Sequence, residues 1–306
     1  MAHLYRSIVL PSVLYGCETW NHIIKEDVRR FNTLQHGICK QIFNLPKPTR
    51  SDIVEQYMNI LPIKAEIDTR KLLFLGRLCR MNTEFLPKKI FTSRLFSFLY
   101  NLSETQMGFI PDVLQLLQTY QLTDYLNTWL SDGSFPSKSA WKSTVRSSVY
   151  THQTLQRIER TAYDPDFFRF NAVFSTSNPF IMWQYINSYS EIQNLKFTFK
   201  LIASKPLQTS IACVLCGHFV TDVFSHATIS CPALTMQHSN WWNSLTRSFT
   251  VHLEAELSGL PEDDLFLILL GKQTLTVLSQ AEEIEFRKLN SRHIVTSCAV
   301  YNRLLG

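Results

Sequence analysis

Glycine is scarce in this chain, nine residues in 306, and proline is limited to twelve. No glycine-rich phosphate loop, no Gly-x-Ser-x-Gly elbow and no His-Glu-x-x-His pair occurs, so the motifs of nucleotide-cradling, serine-hydrolase and zinc-protease sites are missing. No stretch reaches the ~18 uninterrupted apolar residues that a membrane span needs. Internal repeats and low-complexity tracts are absent too. Seven cysteines, an odd number in a long chain, argue against a full disulfide framework. Carboxylates that fall close together at Asp164/Asp166 and at Glu262/Asp263/Asp264 sit at turns or helix starts where acids belong, and neither group reads as catalytic. What is abundant points to a folded protein: 45% of residues are hydrophobic and 12% aromatic, which excludes a disordered chain.

The formal net charge is +5, from 30 Lys+Arg and 25 Asp+Glu, and it is unevenly placed. Residues 1–94 hold fifteen basic and eight acidic side chains, a balance of +7. The other 212 residues hold 15 and 17, a balance of −2. A basic excess confined to one third of the chain fits a module that faces a polyanion, the ordinary alternative being a solvated helix surface. The length fits two or three packed units at roughly 100–200 residues each.

From His3 to Trp20 the chain is almost wholly apolar around Pro11, with only Arg6 and Glu18 charged. A helix apolar on all sides must be buried. The run is not read as a signal peptide, because Pro11 interrupts it, its basic flank is only His3 and Arg6, and Tyr15 is bulky beside Cys17. From Glu26 the periodicity is that of an amphipathic helix, with Val28, Phe31, Leu34, Ile38 and Ile42 on one face. Pro46 and Pro48 end it, and Thr49-Arg-Ser-Asp52 starts a helix over Ile53 to Asn59. After Pro62, Ile63, Ile67, Phe74, Leu78 and Met81 define the inner face of a helix whose other faces carry Lys64, Arg70, Lys71, Arg77 and Arg80. These helices form a bundle with a basic exterior.

Further on, Val113, Leu116, Leu117 and Tyr120, then Tyr125 and Trp129, then Trp141, Val145 and Val149 mark three helices, with a loop over 131–136. Asp164-Pro165 and Asn178-Pro179 mark turns. Residues 196–200 alternate briefly but are assigned to helix. Helices are expected over 240–257, 262–270 and 273–305, the second opened by Pro261 and three acids. The fold class is therefore mainly α. It divides into a basic helical bundle over 1–94, a helical connector over 95–205 and a region over 206–306 that holds the cysteine cluster and C-terminal helices.

That cluster carries the most specific chemistry. Cys213-Val-Leu-Cys216 is followed, after nine intervening residues, by His226 and, after four more, by Cys231. Two thiolates on one tight turn, closed by a His and a Cys from the next element, match the preference of Zn²⁺ for a soft four-coordinate site. Gly217 favours the turn and Pro232 stops the following element. Four protein ligands make such a zinc structural. His218 is the alternative imidazole, though it lies only two residues past Cys216. Without a metal the same residues are three reduced thiols and a surface histidine. Cys17, Cys39, Cys79 and Cys298 lie singly among apolar neighbours and read as buried thiols, and an intracellular, reducing compartment is the expectation.

Leu4-Tyr-Arg-Ser-Ile-Val-Leu-Pro-Ser-Val-Leu-Tyr-Gly-Cys-Glu-Thr-Trp20 resembles the segment that enters the thumb in reverse transcriptases of non-LTR (LINE-type) retrotransposons. The helix over Val28 to Phe43, Leu45 to Thr49, Leu61-Pro62-Ile63 and Arg70 to Met81 are similar, in the same order, to the next stretches of that family's chains. Cys213 through His226 to Cys231-Pro232 resembles its C-terminal Cys-Cys-His-Cys knuckle. The motif-bearing parts cover about a third of the chain. The resemblance implies a thumb-like bundle, a connector and a zinc knuckle, and a nucleic-acid partner, RNA or DNA, bound without sequence preference. The family's palm carboxylates, which bind the catalytic metals, match no residue here, so the chain is expected to be a non-catalytic fragment that a separate palm and fingers domain would complete. Arg29, Arg30, Lys40, Arg70, Lys71, Arg77 and Arg80 are the candidates for phosphate contacts. Phe219 is a candidate for stacking on bases, while Trp241 and Trp242 read first as helix core. The competing reading is a helical scaffold or interaction protein with a structural zinc and no nucleic-acid role. It gains wherever the basic residues are paired with acids such as Glu26, Asp27, Glu55, Glu66 and Asp68.

Overall fold

The computed structural model describes residues 5–20, 23–43, 45, 47, 49–58, 60–100, 108–174, 188–204, 209–249, 251–272 and 278–299. Leu4, Pro46, Pro48, Asn59 and Asn178-Pro179 lie outside these residues, as do 273–277 and 300–306. The fold is mainly α, and the only sheet among the described residues is a two-stranded antiparallel hairpin. Two compact units make up the chain, Met1–Arg157 and Ile158–Gly306.

In the first unit, a π-type turn over Tyr5–Val9 runs into one helical turn, Leu10–Val13, and a 3-10 turn, Cys17–Thr19. This segment is not buried on all sides. Tyr5, Leu10, Leu14 and Cys17 pack with Ile63 and Ile67, whereas Ile8, Val13 and Tyr15 are exposed. Helix α1, Lys25–Phe43, opens with Glu26 and Asp27, which complement its N-terminal dipole. Its inner face is rotated from the expected one, and Leu34 is exposed while Gln35, His36 and Cys39 are buried. Polar partners explain the rotation. Tyr5 Oη donates to Gln35 Oε1 at 2.7 Å, Gln35 Nε2 donates to the Leu61 carbonyl at 3.0 Å, and His36 Nε2 lies 2.9 Å from Glu55 Oε1. A buried polar group with a partner costs little, so these three outweigh one leucine.

Helices α2, Ser51–Met58, and α3, Ile63–Arg80, come next, the latter started by Pro62 and ended with Arg77 and Arg80 in its last turn. The main core of this unit sets Leu72, Leu75 and Leu78 of α3 against Phe91 and Leu95 of α4, Leu86–Leu99, and Val113, Leu116 and Leu117 of α5, Phe109–Thr119. Leu126 of α6, Thr123–Asp132, and Trp141, Val145 and Val149 of α7, Lys138–Thr161, complete it. Two of the expected basic exterior positions behave differently. Lys64 is exposed, but Lys71 is buried, its Nζ 2.8 Å from Asp112 Oδ2. Lys64 and Lys71, about two turns apart, lie on nearly the same side of α3, but at the level of Lys71 the helix packs against α5, and Asp112 neutralises the buried charge there.

Helices α3 and α7 meet at Gly76. A Cβ at that position would lie 2.3 Å from Cδ1 of Trp141 and 2.4 Å from its Nε1. The missing side chain lets the indole lie against the α3 backbone, where Nε1 donates to the Leu72 carbonyl at 2.8 Å. That clasp fixes Lys138 and Lys142, either side of Trp141, beside the last turns of α3.

In the second unit, the Asp164-Pro165 turn leads through a 3-10 turn, Pro165–Phe167, into α8, Phe168–Val173, and residues 196–200 are helical within α9, Tyr189–Ile202. Strands β1, Ile211–Ala212, and β2, Phe219–Val220, form the hairpin, too short to show as alternation in the sequence. Then come α10, Val223–Ile229, α11, Thr235–Ser248, α12, Val251–Ser258, α13, Glu262–Leu270, and α14, Gln280–Ser297. Two helix expectations change here. The single helix over 240–257 is two helices, because Phe249 takes an extended conformation (φ −128°, ψ 164°) after α11. The C-terminal helix begins only after Ser279, whose hydroxyl and the Glu282 carboxylate form a capping box. Trp241 is buried, stacked on the His293 ring at 4.6 Å with Nε1 donating to Asn290, and so belongs to the core.

Candidate metal centre and basic groove

The hairpin presents two of the cysteines. Ile211 pairs with Val220 and Ala212 with Phe219. Past the strand the Cys213 amide donates to the His218 carbonyl and the Gly217 amide to the Cys213 carbonyl, both at 2.8 Å. Gly217 sits at φ +78°, in the left-handed region that lets this turn close with Cys213 and Cys216 on it. The other two candidate ligands are His226 on α10 and Cys231 just past its end. Asp222 caps its N-terminus by accepting from the Phe224 and Ser225 amides, and pairs with the buried Arg169 guanidinium. At the other end, the Cys231 amide donates to the His226 carbonyl at 2.8 Å, turning the chain so that both side chains face the hairpin.

The result is a compact cluster in which the ligand atoms of Cys213, Cys216, His226 and Cys231 all lie within 4.8 Å of one another. Cys213 Sγ and Cys231 Sγ are 4.0 Å apart, and Cys216 Sγ is 3.1 Å from His226 Nε2. Such a cluster could hold a metal ion. His218 is exposed and its ring centroid lies 6.4 Å from that of His226. Burial pushes the Cys231 thiol up to about 11 and lowers His226 from its ordinary value. Both shifts reflect the cost of charge in a poorly solvated site, and a bound cation would reverse the cost for the sulfurs. Two residues that the spacing could not reveal complete the centre. His226 Nδ1 lies 3.1 Å from Ser230 Oγ, which donates to Glu262 Oε1 at 2.8 Å. Phe219, on the same hairpin, is 77% exposed.

The basic candidates of the first unit separate into two groups. Arg29 and Arg30 both bind Glu26, Lys40 Nζ donates to the Lys47 carbonyl at 2.7 Å, and Lys71 is buried on Asp112. Arg70, Arg77 and Arg80 instead line one groove of about 780 Å³ with Lys138 and Lys142, and Glu18 is the one acid among its lining residues. Arg70 donates to the Leu14 carbonyl and Arg80 to the Pro136 carbonyl while lying over the Phe135 ring, which holds both guanidinium groups in place. Lys138 and Lys142 were missed because charge was summed over residues 95–306 as a whole, 15 basic against 17 acidic, which hides the five basic residues against one acid of their own helix. The i, i+4 spacing around a core tryptophan was the available signal. Among the described residues no helix is long and apolar enough to cross a membrane. Compared with family models, curated proteins and solved structures, the chain matches none.

Proposed function

We propose that the chain is a nucleic-acid-binding helical module stabilised by a structural zinc, corresponding to the thumb, connector and knuckle of a non-LTR retrotransposon reverse transcriptase and without polymerase catalysis of its own. The observation that carries this reading is the groove between α3 and α7, where five cations converge around a single carboxylate. Cations held at fixed positions attract successive phosphates, release their counterions and need no base contact. The sequence resemblance supplies the family, and no residue here corresponds to its palm carboxylates. Zinc suits the cluster because three thiols and an imidazole are its preferred soft donors, and thiolate bonds of about 2.3 Å in a tetrahedron separate sulfurs by about 3.8 Å. The 4.0 Å between Cys213 and Cys231 is close to that separation. With all four positions filled by protein, the ion would hold the hairpin to α10 and leave no site for substrate.

The test is the salt dependence of binding to a single-stranded RNA and to a primer-template duplex. Each phosphate neutralised contributes about −0.7 (single strand) to −0.9 (duplex) to the slope of log affinity against log salt. Arg77→Glu with Lys142→Glu should weaken binding at low salt and flatten the slope by about two contacts. Arg29→Ala with Arg30→Ala should change neither much, since Glu26 already holds both groups. Groove variants that bind like the wild type, or binding indifferent to salt, would favour the interaction-protein reading, whose support is that pairing at Glu26.

A further inference from the structure

Proton counting around the metal cluster assigns a state to His226. Ser230 has one hydroxyl proton, and its geometry gives that proton to Glu262 Oε1 at 2.8 Å. The remaining contact, 3.1 Å from Ser230 Oγ to His226 Nδ1, must then be donated by the imidazole, because the hydroxyl oxygen can only accept there. With Nδ1 protonated, the neutral ring has its lone pair on Nε2, the nitrogen that faces Cys216 Sγ at 3.1 Å. From this arrangement we infer that Ser230 and Glu262 are positioning residues of the metal centre, which fix the ring angle and tautomer of His226 so that Nε2 is presented to the ion.

The chain of contacts is short and connects separate elements. His226 lies on α10, Ser230 directly follows that helix, and Glu262 is the first residue of α13. The carboxylate end polarises the hydroxyl and makes the imidazole a stronger donor to the metal, as carboxylates behind metal-bound histidines do. Glu262 also stands in the first turn of α13, where its charge is favourable for the helix dipole. The two roles are compatible.

This inference rests on the metal reading of the cluster, and the full chain tests the two separately. Long-range proton–nitrogen correlation spectra of the metal-free protein read the His226 tautomer directly, and Nδ1–H is expected. Zn²⁺ affinity, measured by competition with a chromophoric chelator, should fall about tenfold in Ser230→Ala and in Glu262→Ala. Ser230→Thr, which keeps the hydroxyl, should restore it. The Co²⁺-loaded variants should keep the charge-transfer and tetrahedral bands of a three-sulfur, one-nitrogen site, since only the strength of the histidine bond changes. An Nε2–H tautomer in the wild type, or wild-type affinity in both alanine variants, overturns the positioning role alone. A wild-type chain that binds neither Zn²⁺ nor Co²⁺ overturns the metal reading and this inference with it.

Discussion

A methyl group added at Gly76 would sit 2.3 Å from Cδ1 and 2.4 Å from Nε1 of Trp141, where heavy-atom contacts are comfortable only near about 3.5–4 Å. The indole has no free direction. It is fully buried, edge-packed against Tyr125 and Phe135 at 5.3 and 4.9 Å, and its Nε1 is committed to the Leu72 carbonyl. Overpacking of a close-packed core costs about 1–3 kcal/mol, and an overlap above 1 Å belongs at the upper end, about 3 kcal/mol. Alanine recovers about 1 kcal/mol of helix propensity over glycine. Gly76→Ala should therefore destabilise the first unit by about 2 kcal/mol, roughly a thirtyfold change in its unfolding equilibrium. Urea unfolding followed by hydrogen-exchange mass spectrometry on peptides from 63–80 and 138–157 reads this unit without interference from the other. All three colliding atoms lie beyond Cβ of Trp141, so Gly76→Ala with Trp141→Ala should lose about 2–3 kcal/mol less than the sum of the single variants. The same shift displaces Lys138 and Lys142, so Gly76→Ala should also weaken salt-dependent binding in the groove. A Gly76→Ala chain as stable as the wild type would refute the close approach of α3 and α7.

Two other buried groups give measurable effects. Lys88 is buried, donates to the Leu78 and Cys79 carbonyls at 3.0 Å each and lies 4.1 Å over the Trp129 ring. Lys88→Met keeps the length but leaves those carbonyls unpaired. Offset by the relief of burying a charge, the loss should be about 1–2 kcal/mol in urea unfolding. A raised unfolding midpoint would mean that charge burial dominates. Burial lowers His293 to about 4, with its ring against Trp241 and Nε2 at 2.8 Å from the Thr228 carbonyl. Between that value and the ordinary one near 6.5, the unfolded chain binds a proton that the folded chain does not. Its contribution is therefore complete above about pH 6.5 and declines as pH falls toward 4, by about 3 kcal/mol in all. Unfolding at pH 7.5, 6 and 5 should show that decline in the wild type and a shallower one in His293→Gln; parallel curves would contradict it.

The cysteine cluster was legible because metal ligation constrains residue type and local spacing together, and Cys213, Cys216, His226 and Cys231 are all within nineteen positions. Ser230 and Glu262 were not, since a serine and a helix-start glutamate have common roles elsewhere and only the packing of α13 brings them to His226. The helices of 109–149 were readable from apolar spacing alone. In α1 the same rule placed Leu34 inward, because periodicity scores hydrophobicity and cannot see that Gln35 and His36 have partners at Tyr5, Leu61 and Glu55. Charge counted along the chain located a basic third but not the groove. Arg29, Arg30 and Lys71 have local or buried partners, while Lys138 and Lys142 arrive from another helix.

The clasp between Trp141 and α3 joins residues 69 apart in the chain, and this separation bears on the order of folding. Closing a loop of that length costs on the order of 4 kcal/mol in chain entropy, whereas α3, α4 and α5 meet through short connections. We expect docking of α7 to follow collapse of the nearer helices, an order that folding and unfolding rates of Trp141→Phe would test. Contacts made late are absent from the folding transition state, so weakening the clasp accelerates escape from the folded state and leaves the rate of its formation almost unchanged. The persistence of the groove over time is governed by one glycine and one indole more than by the cations that line it.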